Sequence, residues 1–426
     1  MLNRCRQILH SSLFANASRL LTANVIAQAI GLLIYPLLTR LYDTADFGLF
    51  NLFLSIGGIF VLLATGQYEY AIVLPRSNRQ AAWSLHCGLL TTAGVTTLCL
   101  LFLPFAKPIA ALFDSTTLSG CLWMMPLYVL SMSLWALLNY WLSRHERFDR
   151  VSSYQVDQSL LNAGIKLGCG WLHAPSGLIY GSVFAPMTAL IITLWRMPRQ
   201  LWNNLCSINL RGIRSAAYRY RNFPKYTLPK SLIDSLSSNL PLLVMAPAFG
   251  LTTVGYVGMA LTLSFRPVNI ICSSINQVFY QRAASLIQQR QSPLNMCWNY
   301  VKTTLAVTLP IFALLYLCLP SLCDWLLGDG WSTTGQYIRL MLPWLLMVLV
   351  SNAINFIPDL FGQQRGLLLL FLGRLVLQIM ALWIGTSQDS AMLSVALYFG
   401  VSALMLLIQL IWFHRLLIRH NDTLNT

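Results

Sequence analysis

Apolar runs recur along nearly the whole chain, each about 20 residues long, the length one helix needs to cross a bilayer, and short polar gaps separate them. The expected spans are 20–39, 49–66, 82–105, 121–142, 151–171 and 174–195, then 228–249, 252–275, 303–323, 338–357, 366–385 and 391–413. Each should be helical, because an open strand would leave backbone groups unpaired in lipid. Runs 151–171 and 228–249 are polar for membrane helices. Only 10% of residues are charged and 56% are hydrophobic, against about 25% charged in a soluble domain, so this chain could not cover a water-facing surface. The sequence therefore predicts an all-α integral membrane protein with about twelve transmembrane helices. The early apolar patch from Ile8 to Phe14 is interrupted by His10, Ser11 and Ser12 and does not read as a cleavable signal.

The formal net charge of +15 could suggest a nucleic-acid partner, but the basic residues form no single patch. With the spans above, and Lys230 and Arg339 at span ends counted with the gaps they border, 22 of the 28 Lys and Arg lie at the termini or in gaps after even-numbered spans; 3 lie on the other side (Arg40, Lys107, Arg339) and 3 deeper inside spans (Lys166, Arg266, Arg374). This bias predicts that both termini are cytoplasmic in a multi-pass bacterial inner-membrane protein, and it fits an even span count. The stretch from Arg196 to Thr227 holds seven basic residues and no acid. It divides the chain into an N-terminal six-helix lobe (1–200), a basic cytoplasmic linker held at the lipid surface (201–227) and a C-terminal six-helix lobe (228–426). Asp46-Phe47-Gly48-Leu49-Phe50 and Thr253-Val254-Gly255-Tyr256-Val257 occupy equivalent places in the two halves, a faint sign of a repeat. Trp83, Trp123, Trp141, Trp171, Trp195, Trp325 and Trp383 fall near span boundaries, as interfacial anchors do. The ten cysteines form no CxxC or zinc-type spacing and read as packing residues.

Enzyme motifs are missing: no P-loop, Gly-x-Ser-x-Gly, HExxH or dinucleotide fingerprint occurs. No catalytic residue, metal site or cofactor is expected, which leaves movement of something across the bilayer. The informative residues are polar ones at helical spacing. Thr262, Arg266, Asn269, Ser273 and Asn276 advance by four, three, four and three and so share one helix face. Arg266 lies mid-span, where lipid exposure is costly, and Pro267 weakens the helix beside it. Asn51, Ser55, Gly58, Thr65 and Glu69 repeat the pattern, as do Asn24, Gln28, Gly31 and Tyr35, and Ser231, Asp234, Ser235 and Ser238. Arg374 and Gln378 lie one turn apart. Asp157 and Lys166 are nine residues apart on opposite helix faces, and Lys166 is expected to snorkel outward. The cavity candidates are Arg266, Asn269, Asn276, Asn24, Gln28, Asn51 and Arg374. Asp157, Asp234 and Glu69 are candidates for ion coupling, each also able to pair with a nearby Arg.

Three stretches carry a family resemblance: Leu37-Leu38-Thr39-Arg40-Leu41-Tyr42-Asp43 with Asp46-Phe47-Gly48; Gln67-Tyr68-Glu69-Tyr70-Ala71-Ile72-Val73-Leu74-Pro75; and Phe223-Pro224-Lys225-Tyr226 through Gly255-Tyr256 to Arg266-Pro267 and Gln277-Val278-Phe279-Tyr280. The chain resembles the Wzx-type O-antigen and polysaccharide flippases, of the multidrug/oligosaccharidyl-lipid/polysaccharide exporter (MOP) superfamily. The resemblance implies two six-helix lobes around a central cavity walled by spans 1, 2, 7 and 8. It implies transport of an undecaprenyl-pyrophosphate-linked oligosaccharide from the cytoplasmic to the periplasmic leaflet by alternating access, for lipopolysaccharide biosynthesis, with a polysaccharide polymerase and a chain-length regulator as partners. A multidrug or cation exporter of the same superfamily would want carboxylates in its cavity; Asp157 and Asp234 favour it, and Arg266 and Arg374 oppose it. A membrane glycan polymerase would need a larger external loop, and peptidoglycan-precursor flippers carry more spans.

Overall fold

A computed structural model describes residues 12–113, 116–174, 176–198, 209–289, 291–361 and 363–425. Residues 8–11 of the early apolar patch, Arg199 and 201–208 of the expected linker lie outside the described residues. The longer helices are α1 (Ser12–Leu33), α2 (Thr44–Thr65), α3 (Asn78–Phe102), α4 (Met125–Arg144), α5 (Phe148–Trp171) and α6 (Gly177–Trp195). There follow α7 (Leu210–Arg219), α8 (Leu228–Gln288), α9 (Leu294–Leu327), α10 (Ser332–Asn352), α11 (Gln364–Ser387) and α12 (Ala391–Asn425). No strand occurs among the described residues. The protein is an all-α membrane protein.

Eight helical segments among the described residues are long and apolar enough to cross a membrane, and Thr22–Leu38 is a shorter apolar one. Helices also occupy 125–144 and 148–171, whose polar residues keep them outside that class. One of the eight, Phe223–Asn269, covers most of two expected spans. Uninterrupted, the 61 residues of α8 would run roughly 90 Å at 1.5 Å per residue, about three times the hydrocarbon core. Gly250 breaks it, with φ 78° and ψ 172°, in a region of backbone space open essentially to glycine. The expected gap between 249 and 252 falls at this break. Asp46-Phe47-Gly48 begins in the first turn of α2, and Thr253-Val254-Gly255 follows the Gly250 break at a similar distance.

The helix ends have local causes. The Asp46 carboxylate accepts from the Asp43 N–H at 3.2 Å as α2 starts, a favourable place for negative charge. Gly66 (φ 56°) and Gln67 (φ 60°) are both left-handed and stop α2, and the chain resumes as a 3-10 turn over Tyr68–Ile72. Pro126 sits in the first turn of α4, where the missing N–H costs nothing.

The chain forms two compact units, Met1–Leu236 and Ser237–Thr426. In the first, α5 packs along α1 and α6, and α2, α3 and α4 pack on one another. Its core includes Leu85, Leu137, Leu138, Trp141, Tyr154 and Leu190. Close approach depends on small residues: a Cβ on Gly88 would lie 2.4 Å from Leu137, and one on Gly57 would lie 2.6 Å from Tyr128. In the second unit α10 packs on α9 and α12, and α11 on α12, around Val301, Val350, Ile354, Phe413 and Leu417. The exposed face of α9 carries Val307, Leu309, Ile311, Leu314 and Leu317, as a lipid-facing helix should.

Three expectations change here. Trp123, Trp171, Trp195, Trp325 and Trp383 are exposed, but Trp141 is fully buried in the first unit's core and is no interfacial anchor. Part of the basic 201–227 stretch is a helix: α7 is capped by Asn209, whose side chain accepts from the Arg211 and Gly212 N–H groups. Its Gly212, Ile213 and Ala216 are buried against α3, and the Cys87 thiol donates to the Ile213 carbonyl at 3.3 Å. Finally, Asn51–Glu69 is not one helix face, because the two left-handed residues intervene before Glu69. As expected of packing residues, Cys87, Cys99, Cys121, Cys272, Cys297 and Cys323 are free and buried.

Candidate functional site

In the first unit, polar residues gather where α2 ends. Glu69 is buried and its Oε1 accepts from the Thr65 hydroxyl at 3.3 Å. Its Oε2 has no hydrogen-bond partner among the described residues. The Thr65 oxygen also accepts from the Gln67 N–H, which the left-handed turn directs back toward it. The Gln67 side chain, itself buried, accepts from Ser231 at 3.2 Å. The kink that breaks the helix face thus gathers Glu69, Thr65, Gln67 and Ser231. Tyr70, next to Glu69, lies edge-on to Tyr140 at 5.4 Å and stacks on Phe223 at 6.2 Å.

Lys166 does not snorkel outward. It is buried, with its ammonium 4.2 Å from the centre of the Phe50 ring, a cation–π arrangement that replaces part of the lost hydration. Its stem lies in the space left by Gly181, where a Cβ would come 2.5 Å from the Lys166 Cγ. The Tyr42 hydroxyl donates to the Lys166 carbonyl at 2.7 Å. Burial pushes the Tyr42 phenol up from its ordinary pKa, so it stays a neutral donor. Asp157 pairs with Arg196 at 3.2 Å, the pairing with a nearby Arg that the sequence left open. Asp234 is exposed and has a partner. Asn24, Gln28 and Asn51 are half-buried, whereas Gly31 and Gly58 border open space.

In the second unit the 262–276 stripe does not share one environment. Thr262 is buried and bonds back to the Gly258 carbonyl at 2.9 Å. The Asn276 amide donates to the Asn352 and Ala353 carbonyls at 3.0 and 3.4 Å, which fastens α8 to the end of α10. Between them Arg266 and Asn269 are exposed, and the Ser273 side chain lies outside the described set. Neither Arg266 nor Asn269 makes a side-chain hydrogen bond or ion pair with another described residue of its unit. A second group closes on itself. Ser237 donates to Gln378, Gln378 donates to Ser402 at 2.8 Å, Ser402 donates to the Tyr398 carbonyl at 2.7 Å, and Tyr398 donates to the Ser237 carbonyl. Gln378 is fully buried. Arg374, one turn earlier, is half-buried within electrostatic reach of Tyr398. The sequence singled out Arg374 and Gln378 but not Tyr398 and Ser402, although those two stand at i, i+4 on α12. No group of three or more His, Cys, Asp or Glu able to hold a metal occurs among the described residues.

Each unit thus offers a set of polar side chains on its long apolar helices. Solved structures place this architecture. The chain superposes on the lipid II flippase MurJ in an inward closed conformation, with a TM-score of 0.66 at 11% identity over 96% of this chain and 91% of that one. It superposes on an inward-facing multidrug resistance MATE transporter of the MOP superfamily with a TM-score of 0.64 at 15% identity, over 95% of each chain. A MATE protein in complex with MaL6 gives 0.57 at 15% identity, over 98% and 99%. At these identities the likeness is one of fold. No curated protein sequence matches the chain significantly. The family model described as "polysaccharide biosynthesis protein" matches residues 37–335, a stretch that holds the Glu69 kink, Lys166, α7 and Arg266. The chain therefore belongs to the polysaccharide biosynthesis protein family, on a fold that it shares with MurJ and the MATE transporters.

Proposed function

We propose that the protein is a flippase for undecaprenyl-pyrophosphate-linked oligosaccharide repeat units, moving them from the cytoplasmic to the periplasmic leaflet of a bacterial inner membrane by alternating access of two six-helix lobes, with both termini cytoplasmic. The product would feed O-antigen or another surface polysaccharide, passing to a polymerase and a chain-length regulator. The carrying observation is the family match over residues 37–335. A sugar hydroxyl taken from water into an apolar medium costs roughly 4–8 kcal/mol without a partner, so a repeat unit cannot cross unaided. Arg266 and Asn269 are exposed polar groups on α8; in this reading they meet the anionic head of the substrate, and a guanidinium forks onto phosphate oxygens. Asn24, Gln28, Asn51, Asn276 and Arg374 line the remaining path, and Glu69, Asp157 and Asp234 supply ion coupling.

Reconstitution into proteoliposomes with a fluorescent prenyl-diphosphate-linked sugar tests the reading. Wild type should flip the lipid, Arg266→Lys should flip it partially, and Arg266→Gln should flip it about tenfold more slowly at normal abundance, the loss expected from one charge-assisted contact. Normal flipping by Arg266→Gln would remove Arg266 from the path. Transport of a cationic dye with no flipping by wild type would favour the multidrug reading instead.

A further inference from the structure

We propose that α7 and the turn after it form a docking surface for the sugar-diphosphate head of a lipid-linked glycan, a first contact on the side that the basic residues assign to the cytoplasm. The proposal rests on the flippase reading and adds a site to it. The sequence suggests that this basic stretch lies on lipid, and a lipid-bound helix must keep its apolar face for the bilayer. Here that face is already used. Gly212, Ile213 and Ala216 are buried on the first unit, a Cβ on Gly212 would come 2.3 Å from the Trp83 ring, and the Cys87 thiol holds the Ile213 carbonyl.

Apart from Leu210, Ser215 and Asn222, what remains exposed is cationic and aromatic. Arg211, Arg214, Arg219, Arg221 and Lys225 are all exposed, with no acid between Arg196 and Thr227. Aromatic rings support three of these cations: Arg221 lies 4.4 Å from the centre of Tyr218, Arg219 lies 5.7 Å from Tyr220, and Lys225 lies 5.1 Å from Tyr226. Cations held at fixed places suit phosphate, and Tyr218 and Tyr226 leave broad ring faces open at 69% and 61% exposure. The rings also continue in a row, from Tyr220 to Phe223 at 6.4 Å, Tyr70 at 6.2 Å and Tyr140 at 5.4 Å. That row ends beside Glu69. A flat apolar ring with a polar tip can stack on the C–H face of a sugar, so cations beside a row of rings match a head that carries diphosphate and sugar together.

The test uses the full-length protein in phosphatidylcholine nanodiscs. The probes are a citronellyl-diphosphate-linked N-acetylglucosamine, inorganic pyrophosphate, and discs doped with phosphatidylglycerol. Wild type should bind the glycosyl probe. Arg214→Gln with Arg221→Gln should weaken both the glycosyl probe and pyrophosphate about tenfold or more. Tyr218→Ala with Tyr226→Ala should weaken the glycosyl probe about threefold to tenfold and pyrophosphate by less, because the same rings also hold Arg221 and Lys225. All four side chains are exposed, so these variants should fold, and amide exchange in α7 checks that they do. Equal probe affinity in wild type and the arginine variant would overturn the site. So would α7 amides that become protected only in phosphatidylglycerol discs, the signature of a bilayer anchor. Unchanged binding in the tyrosine variant would overturn the sugar component. A flipping assay on the same preparations separates this proposal from the one beneath it. Cation-dependent binding without flipping leaves the docking surface standing and removes the flippase reading, whereas flipping with unaltered binding by both variants does the reverse.

Discussion

In Met1–Leu236 two of the buried polar side chains are of a charged type: Lys166 lies over the Phe50 ring and Glu69 accepts from Thr65. In Ser237–Thr426 a group of neutral side chains, Ser237, Gln378, Ser402 and Tyr398, satisfy one another in a ring. The two solutions differ physically. A buried charge loses most of its hydration and needs a shaped environment, so its cost depends on the packing around it. A closed neutral ring loses less on burial, but each member depends on the others. The first unit should therefore be sensitive to the walls around its charges and the second to loss of a hub.

The largest effect is expected at the wall around Lys166. A Cβ on Gly181 would lie 2.5 Å from Lys166 Cγ and 3.2 Å from the Asn162 carbonyl. Gly181→Leu should cost at least about 1–3 kcal/mol by overpacking and should lower membrane abundance and the thermal midpoint. Lys166→Met keeps the volume and removes the charge, and an apolar replacement for a buried charge is often neutral or better; its midpoint should not fall. If Lys166→Met were the more damaging of the two, the charge itself would be what the first unit depends on.

A smaller loss is expected from the neutral ring. Gln378→Leu leaves Ser237 and Ser402 short of a partner. Hydrogen bonds between membrane helices contribute about 0.6–2 kcal/mol, so the midpoint should fall by a few degrees. Adding Ser402→Ala should then cost less than Ser402→Ala does in wild type, because the two share one network. Additive losses would show that the ring is a set of independent bonds and would weaken the contrast between the units.

How far the sequence anticipated this arrangement depends on whether a feature is local. Apolar period and basic gaps placed helices at the expected spans, because lipid leaves the backbone almost no alternative. The break at Gly250 was visible as a short gap, although not as backbone geometry. The stripe 262–276 was correctly helical, yet periodicity does not say what lies opposite: Asn276 turned out to fasten α8 to the end of α10, while Arg266 stayed exposed. Glu69 was placed on a continuous face because two consecutive left-handed residues, one of them Gln67, leave little trace in hydropathy. Lys166 was missed for a related reason. Its setting is made by Phe50 and Gly181 on other helices, and no spacing rule along α5 reports them. The Tyr398–Ser402 pair looked like ordinary polar residues until Gln378 and Ser237 stood against it.

The smallest expected effect on stability is at Asp157 and Arg196, and it bears most directly on ion coupling. The pair is partly exposed, with side-chain exposures of 28% and 45%, and water screens such a pair, so breaking it should cost about 0–1 kcal/mol. Asp157→Asn and Arg196→Gln should each keep near-normal abundance. A merely structural pair predicts that the double variant behaves like either single one and that transport keeps its response to proton and sodium gradients. A coupling carboxylate predicts something else: Asp157→Asn should lose the response to one of the gradients while Arg196→Gln, which leaves the carboxylate in place, keeps it. Measuring flipping in proteoliposomes with each gradient imposed in turn distinguishes the outcomes. An unaltered gradient response in Asp157→Asn would remove Asp157 from the coupling set and leave Glu69, buried with one oxygen unpartnered among the described residues, and the exposed Asp234 to carry that role.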